Sequence, residues 1–160
     1  MPTVTAHLRE RRWIVSGILV ASVSLSICAT APAANPQKGK TYSGTIKQSF
    51  SGSQVVNQFP ISFTVSKNGK KVGNFKLPSN VPIYCQGGGF GGVSGGSASV
   101  SKGKFKAKLP IVFAPTHEKQ GFAIITGAFK SGGRESGSVT TAFTKAKDCN
   151  GKSPYSTQAK

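Results

Sequence analysis

Residues 102–109 read Lys102-Gly103-Lys104-Phe105-Lys106-Ala107-Lys108-Leu109. Successive side chains on a β-strand point to opposite faces, so alternation at period two separates two kinds of residue onto two faces. Lys102, Lys104, Lys106 and Lys108 therefore share one face, and Phe105, Ala107 and Leu109 share the other. Four ammoniums at this spacing form a row about 20 Å long, with steps of ~6.6–6.8 Å. Such a row suits a phosphate or sulfate polymer, which gains from counterion release. It equally suits a solvated face, or a charged edge that keeps strands of other molecules from pairing.

The same period extends on both sides. In residues 58–66, Phe59, Ile61, Phe63 and Val65 fall on one face. Asn68-Gly69 follows and predicts a hairpin turn with positive φ at both residues. The return strand covers residues 71–77. Pro78 and Pro82 bound a loop that leads to Ile83-Tyr84-Cys85. Residues 87–96 hold seven glycines in ten and read as an irregular loop, in which Phe90 and Val93 are candidate contact residues. Strand character returns over residues 97–101, turns at Lys102-Gly103 and continues over residues 104–113. Residues 121–130 and 135–145 form the clearest hairpin, with Val139, Thr141 and Phe143 on one face of its second arm. Residues 41–50 supply a first strand, and the tail around Tyr155 a short last one. Eight or nine short strands without helical periodicity predict an all-β domain over 41–160, an antiparallel β-sandwich or barrel.

The chain has 160 residues, 21 Lys+Arg, 4 Asp+Glu and a net charge of +17. Its start is basic (Arg9, Arg11, Arg12), its next stretch, Trp13 to Ile27, is apolar, and Ala29-Thr30-Ala31-Pro32-Ala33-Ala34 is small. That order predicts a secretory signal peptide over 1–34, with Ala31, Ala33 and Ala34 marking the cleavage region and a short linker at 35–40. Fifteen apolar residues are fewer than the ~20 that span a bilayer, so no membrane span is expected in the mature protein. Leu25-Ser26-Ile27-Cys28 approximates a lipobox and makes a lipoprotein anchored at Cys28 the minor alternative, although Ile27 departs from the small residue required there. Removal of 1–34 leaves 126 residues at +15, with Glu118, Glu135 and Asp148 as the acids. Cys85 and Cys149 remain, and two cysteines in an exported chain read as one disulfide.

The strand and turn signatures also carry a resemblance. Thr41-Tyr42-Ser43-Gly44-Thr45, Ser62-Phe63-Thr64-Val65-Ser66-Lys67-Asn68-Gly69-Lys70-Lys71-Val72, Cys85, Lys102-Gly103-Lys104-Phe105, Ile125-Thr126-Gly127-Ala128-Phe129 and Cys149-Asn150-Gly151 follow in order. Together they resemble a group of small secreted bacterial β domains, often occurring as several paralogues and without an established activity. The resemblance covers most of 41–152 and implies an exported all-β scaffold with a Cys–Cys bridge. It implies no mechanism.

Catalysis is not expected. His117-Glu118 is the only His beside an acid, there is no Gly-x-Ser-x-Gly, and three mature acids, read as turn residues, offer no carboxylate pair. Metal ligands are too few and no cofactor is implied. The glycine-rich segment lacks the Lys-Ser/Thr of a phosphate-binding loop. Nor does any motif for specific nucleic-acid recognition occur. The expected function is that of a secreted, non-enzymatic domain that binds anionic cell-envelope or extracellular polymers through the lysine row. The alternative is a protein-interaction or inhibitor domain that uses the loop 87–96.

Overall fold

The computed structural model describes residues 33–49, 56–77, 93–112, 116–144 and 150–160. All belong to one compact unit, Ala31–Lys160. The strands are β1 (Thr41–Ser49), β2 (Val56–Val65), β3 (Lys71–Leu77), β4 (Val93–Ser101), β5 (Lys104–Val112), β6 (Lys119–Lys130), β7 (Arg134–Phe143) and β8 (Gly151–Ala159). Each pairs antiparallel with the next, and β8 returns to β1, so the sheet closes into an eight-stranded barrel. Of the two predicted architectures the barrel is the one that forms. Of the segment 1–34 predicted as a signal peptide, residues 1–32, Ala31 and Cys28 included, lie outside the described residues, as do Cys85 and Cys149.

Alternation drives the packing. Along β5 the lysines and Pro110 are exposed while Phe105, Ala107, Leu109 and Ile111 are buried. Six rings lie in the core of the barrel, Tyr42, Phe63, Phe75, Phe105, Phe129 and Tyr155, and the first five pack against one another. Tyr42 stacks on Phe63 with centroids 5.3 Å apart, and Phe129 meets Tyr42 edge-on at 5.2 Å. Phe63 also contacts Phe75 at 5.5 Å and Phe105 at 5.3 Å. Apolar inside and polar outside is the reverse of a lipid-facing barrel.

The start of β1, the β2–β3, β4–β5 and β6–β7 turns and the end of β8 share one end of the barrel. Residues 33–40 strap across it, covering what was read as a linker. Ala34 N–H donates to the Phe129 carbonyl at 2.8 Å, and Gly39 N–H to the Ser66 carbonyl at 3.2 Å. Gln37 N–H donates to the Tyr42 phenol oxygen at 3.0 Å, which satisfies the one polar atom of that buried ring.

Four local features differ from the sequence reading, each for a steric or hydrogen-bonding reason. Val93 is no loop residue: it opens β4 and lies in the core at 5% exposure. Glycine-rich sequence reads as loop by propensity, yet Gly95 and Gly96 adopt φ of 77° and 69° within the strand. A side chain at Gly96 would collide with Leu109, so the strand needs glycine there. Phe90 and the rest of 87–92 lie outside the described residues. At Asn68-Gly69 only Gly69 has positive φ (76°); the Asn68 side-chain oxygen instead accepts from Lys70 N–H at 3.0 Å and the Ser66 hydroxyl at 2.7 Å. The two-residue turn with both φ positive is Lys102-Gly103, at 49° and 69°. Lys102 is therefore a turn residue and leaves the lysine row. Finally, the tail forms a nine-residue strand, β8, without which the barrel would stay open.

Phe63 touches four other rings, so its loss leaves a cavity at the centre of the barrel. Phe63→Ala is expected to lower unfolding free energy by about 3–5 kcal/mol, measured from urea midpoints. The exposed Lys106→Gln should stay within about 0.5 kcal/mol of wild type.

Candidate functional site

Lys104, Lys106 and Lys108 are the row as it stands, exposed on the outer wall over about 13 Å. Opposite them β6 presents Ala128, Thr126 and Ile124, none of them acidic. The row ends at Phe122, where the Lys108 and Lys119 ammoniums each lie 4.0 Å from the ring centroid. Two cations already use that ring, so it is not an open stacking platform. On its other side β5 is thinly paired. The β4–β5 ladder consists of Val100–Phe105 and Ser101–Lys104, against nine residue pairs between β5 and β6. The lysines and Pro110 thus line a stretch of strand that is almost an edge.

A second concentration of charge lies at the strapped end. Lys38 and Lys40 are on the strap, and Lys67, Lys70 and Lys71 are on or beside the β2–β3 turn. Lys102 occupies the β4–β5 turn, Lys130 and Arg134 flank the β6–β7 turn, and Lys160 follows β8. All nine are exposed. Among the described residues the acids are Glu118, exposed at the opposite end, and Glu135, buried. Apart from Lys102, these bases are absent from the sequence-derived candidates. Their signal was present, since the turns at 66–70, 102–103 and 131–133 all carry or adjoin lysine, and in an up-and-down barrel alternate turns share an end.

Glu135 is the residue the sequence reading misplaced. It faces inward from β7 at 1% exposure instead of sitting in a turn. Thr157 donates its hydroxyl to Glu135 Oε2 at 2.6 Å, and Tyr155 donates to Oε1 at 2.8 Å. The same Tyr155 hydroxyl lies 3.2 Å from the Thr126 carbonyl. One phenolic hydrogen thus faces two acceptors while Glu135 is ionised, and a proton on Glu135 supplies the second hydrogen. Gly127 makes the room, because a side chain there would meet both the Glu135 carboxylate and the Phe105 ring. Burial pushes the Glu135 carboxyl up to about 7, and the Thr157 and Tyr155 hydrogen bonds and the Lys130 charge only partly oppose it. Burial, and then the Glu135 charge, push the Tyr155 phenol upward. The three side chains are buried, and Glu135 and Thr157 also border a hollow of about 400 Å³ on the outer wall.

The hollows lie on the outer wall. Two of them, about 610 and 400 Å³, meet at Ser43-Gly44-Thr45 and are lined in part by Lys76 and Lys160 and by Arg134 and Gln158 respectively. They form where Gly44 lets β1 press against the Ser156 backbone. His117 and Glu118 are both exposed, and Glu118 N–H donates to the Thr116 hydroxyl at 3.4 Å. Among the described residues no three His, Cys, Asp or Glu side chains gather as metal ligands would. Ala33 and Ala34 lie on the strap; Ala31 lies outside the described residues. No family model matches the chain, and no curated protein matches it.

The Glu135 geometry sets a pH dependence. Its folded value exceeds that of the unfolded chain, so the folded state holds the extra proton and stability falls as pH rises. The loss begins near pH 4.5, is complete above about pH 7, and amounts to about 3 kcal/mol. Chemical denaturation between pH 4 and 8 should show this slope in wild type and lose it in Glu135→Gln; parallel curves would contradict it.

Proposed function

We propose that the chain is an exported, non-enzymatic barrel that binds anionic cell-envelope or extracellular polymers along β5. The observation that carries this reading is the exposed row Lys104-Lys106-Lys108, in strand register and without an acidic neighbour on β6. A polymer with closely spaced phosphates or sulfates can contact all three ammoniums while releasing its counterions. The strand fixes the spacing of the row at its backbone, while the exposed lysine stems still give up rotamer freedom when a polymer binds.

A second reading is favoured by the short β4–β5 ladder. Lysines and a proline along thinly paired backbone protect it against pairing with other chains. The two readings differ in outcome. With duplex DNA as a calibrated polyanion, Lys104→Gln/Lys106→Gln/Lys108→Gln should weaken binding and reduce the magnitude of the log K against log salt slope by about 2–3. An unchanged slope together with new dimers or aggregates in sedimentation would favour edge protection alone.

The export reading includes a cleaved leader and a Cys85–Cys149 bridge. In support, residues 77 and 93, which bracket the first cysteine, and residues 144 and 150, which bracket the second, lie at the same end of the barrel. The Ala34 N–H bond to Phe129 favours a cut after Ala33 over one after Ala34. Intact-mass analysis of the exported protein should give Ala34 as the first residue, and a gain of about 2 Da on reduction would identify the bridge. A lipid-modified Cys28 or two free thiols would contradict these parts of the proposal.

A further inference from the structure

We infer that the strapped end of the barrel is a docking face for a bilayer rich in anionic phospholipid, separate from the polymer-binding row on β5. Its nine exposed cations are contributed by five chain segments arranged around the barrel end, and the one acid of the described residues beside them, Glu135, is buried. Such an arrangement is a surface and not a line. An extended polymer can reach only those cations that lie along its path, whereas a plane of anionic headgroups can meet all the segments at once. Juxtamembrane basic residues gain in this way because the negative surface potential acts on each of them within a Debye length.

Two further features point the same way. Among the described residues the opposite end carries the exposed Lys47, Lys119 and Lys152 together with the exposed Glu118, against nine exposed cations at the strapped end, so the strapped end is the more positive of the two and would face an anionic surface. The chain also enters the described region at Ala33, on this same end. The apolar stretch Trp13 to Ile27 ends six residues upstream of it. An extended chain covers at most ~3.3–3.6 Å per residue, so a membrane-held leader would keep this end within ~20 Å of the bilayer. During export the barrel would therefore meet the membrane with its basic end first. The strap holds Lys38 and Lys40 in place through the Ala34, Gln37 and Gly39 hydrogen bonds, and the β2–β3 hairpin holds Lys67, Lys70 and Lys71.

The test compares partition of the full chain onto vesicles of phosphatidylglycerol with phosphatidylcholine and onto pure phosphatidylcholine. Taking the ratio of the two cancels the apolar contribution of the N-terminal segment. Each lysine near an anionic surface is worth roughly a fivefold change, so Lys67→Gln/Lys70→Gln/Lys71→Gln should lower the ratio by about a hundredfold. Lys38→Gln/Lys40→Gln should lower it by about twenty-five-fold through a different segment. These side chains are exposed, so urea midpoints should be unchanged and a folding defect is recognisable. The triple variant of Lys104, Lys106 and Lys108 should keep the wild-type ratio within a few-fold. An equal loss in the row variant would show a response to total charge and overturn the inference. Retained vesicle binding with lost DNA binding in the Lys67, Lys70, Lys71 variant would also overturn it, in favour of a polymer-binding end.

Discussion

Everything outside the barrel depends on how β8 closes against β1. The five residue pairs from Tyr42–Ala159 to Ile46–Tyr155 join the last strand to the first. Once they form, each strand has one face toward a common interior and one toward solvent. An open sheet of the same strands could bury its apolar face only against a second layer, and both edges would remain free. Closure also fixes where charge can go. With the interior taken by six rings and their aliphatic neighbours, the bases of the described residues lie outside, and the strand register then orders some of them.

The interior has its own constraint. A wall of β-strands encloses limited room, and Gly127 marks where that room runs out, with the Glu135 carboxylate and the Phe105 ring in the space a side chain would take. A buried acid is costly when ionised unless it is hydrogen-bonded. Here Tyr155 and Thr157 make its two hydrogen bonds, both from β8. The same three residues therefore hold β8 onto β7 and link the closing strand to the protonation of one carboxyl. Among the described residues Glu135 is the one acid in the core, and its hydrogen bonds join β7 to β8.

Much of this was legible in the sequence, where the physics is local. The alternation on 104–109 and in Phe59, Ile61, Phe63 and Val65 declares strands and faces directly. What was not legible depends on strands distant in sequence. Val93 looked like part of a loop because glycine propensity outweighed the single apolar residue, and only the Leu109 contact at Gly96 explains a strand there. The turn at Lys102-Gly103 was legible, but Lys102 also shares the period of its row, and a turn residue with positive φ cannot continue the face of the strand that follows. Glu135 looked like a turn acid because its partners, Tyr155 and Thr157, lie at least twenty residues later. The clustering of basic turns at one end follows from up-and-down topology, which periodicity alone does not specify.

The high positive charge thus resolves into a short row on β5 and a broad basic end, on a barrel whose described interior is packed with aromatic and aliphatic side chains. An NMR titration of the isotope-labelled protein with a short polyanion tests this most directly. The account predicts shifts at Lys104, Lys106 and Lys108 and at Thr126 and Ile124 opposite them, while the ring signals of Phe63 and Phe129 and the hydroxyl environment of Tyr155 stay fixed. Shifts centred on those interior rings, or a β5 that does not respond, would contradict it.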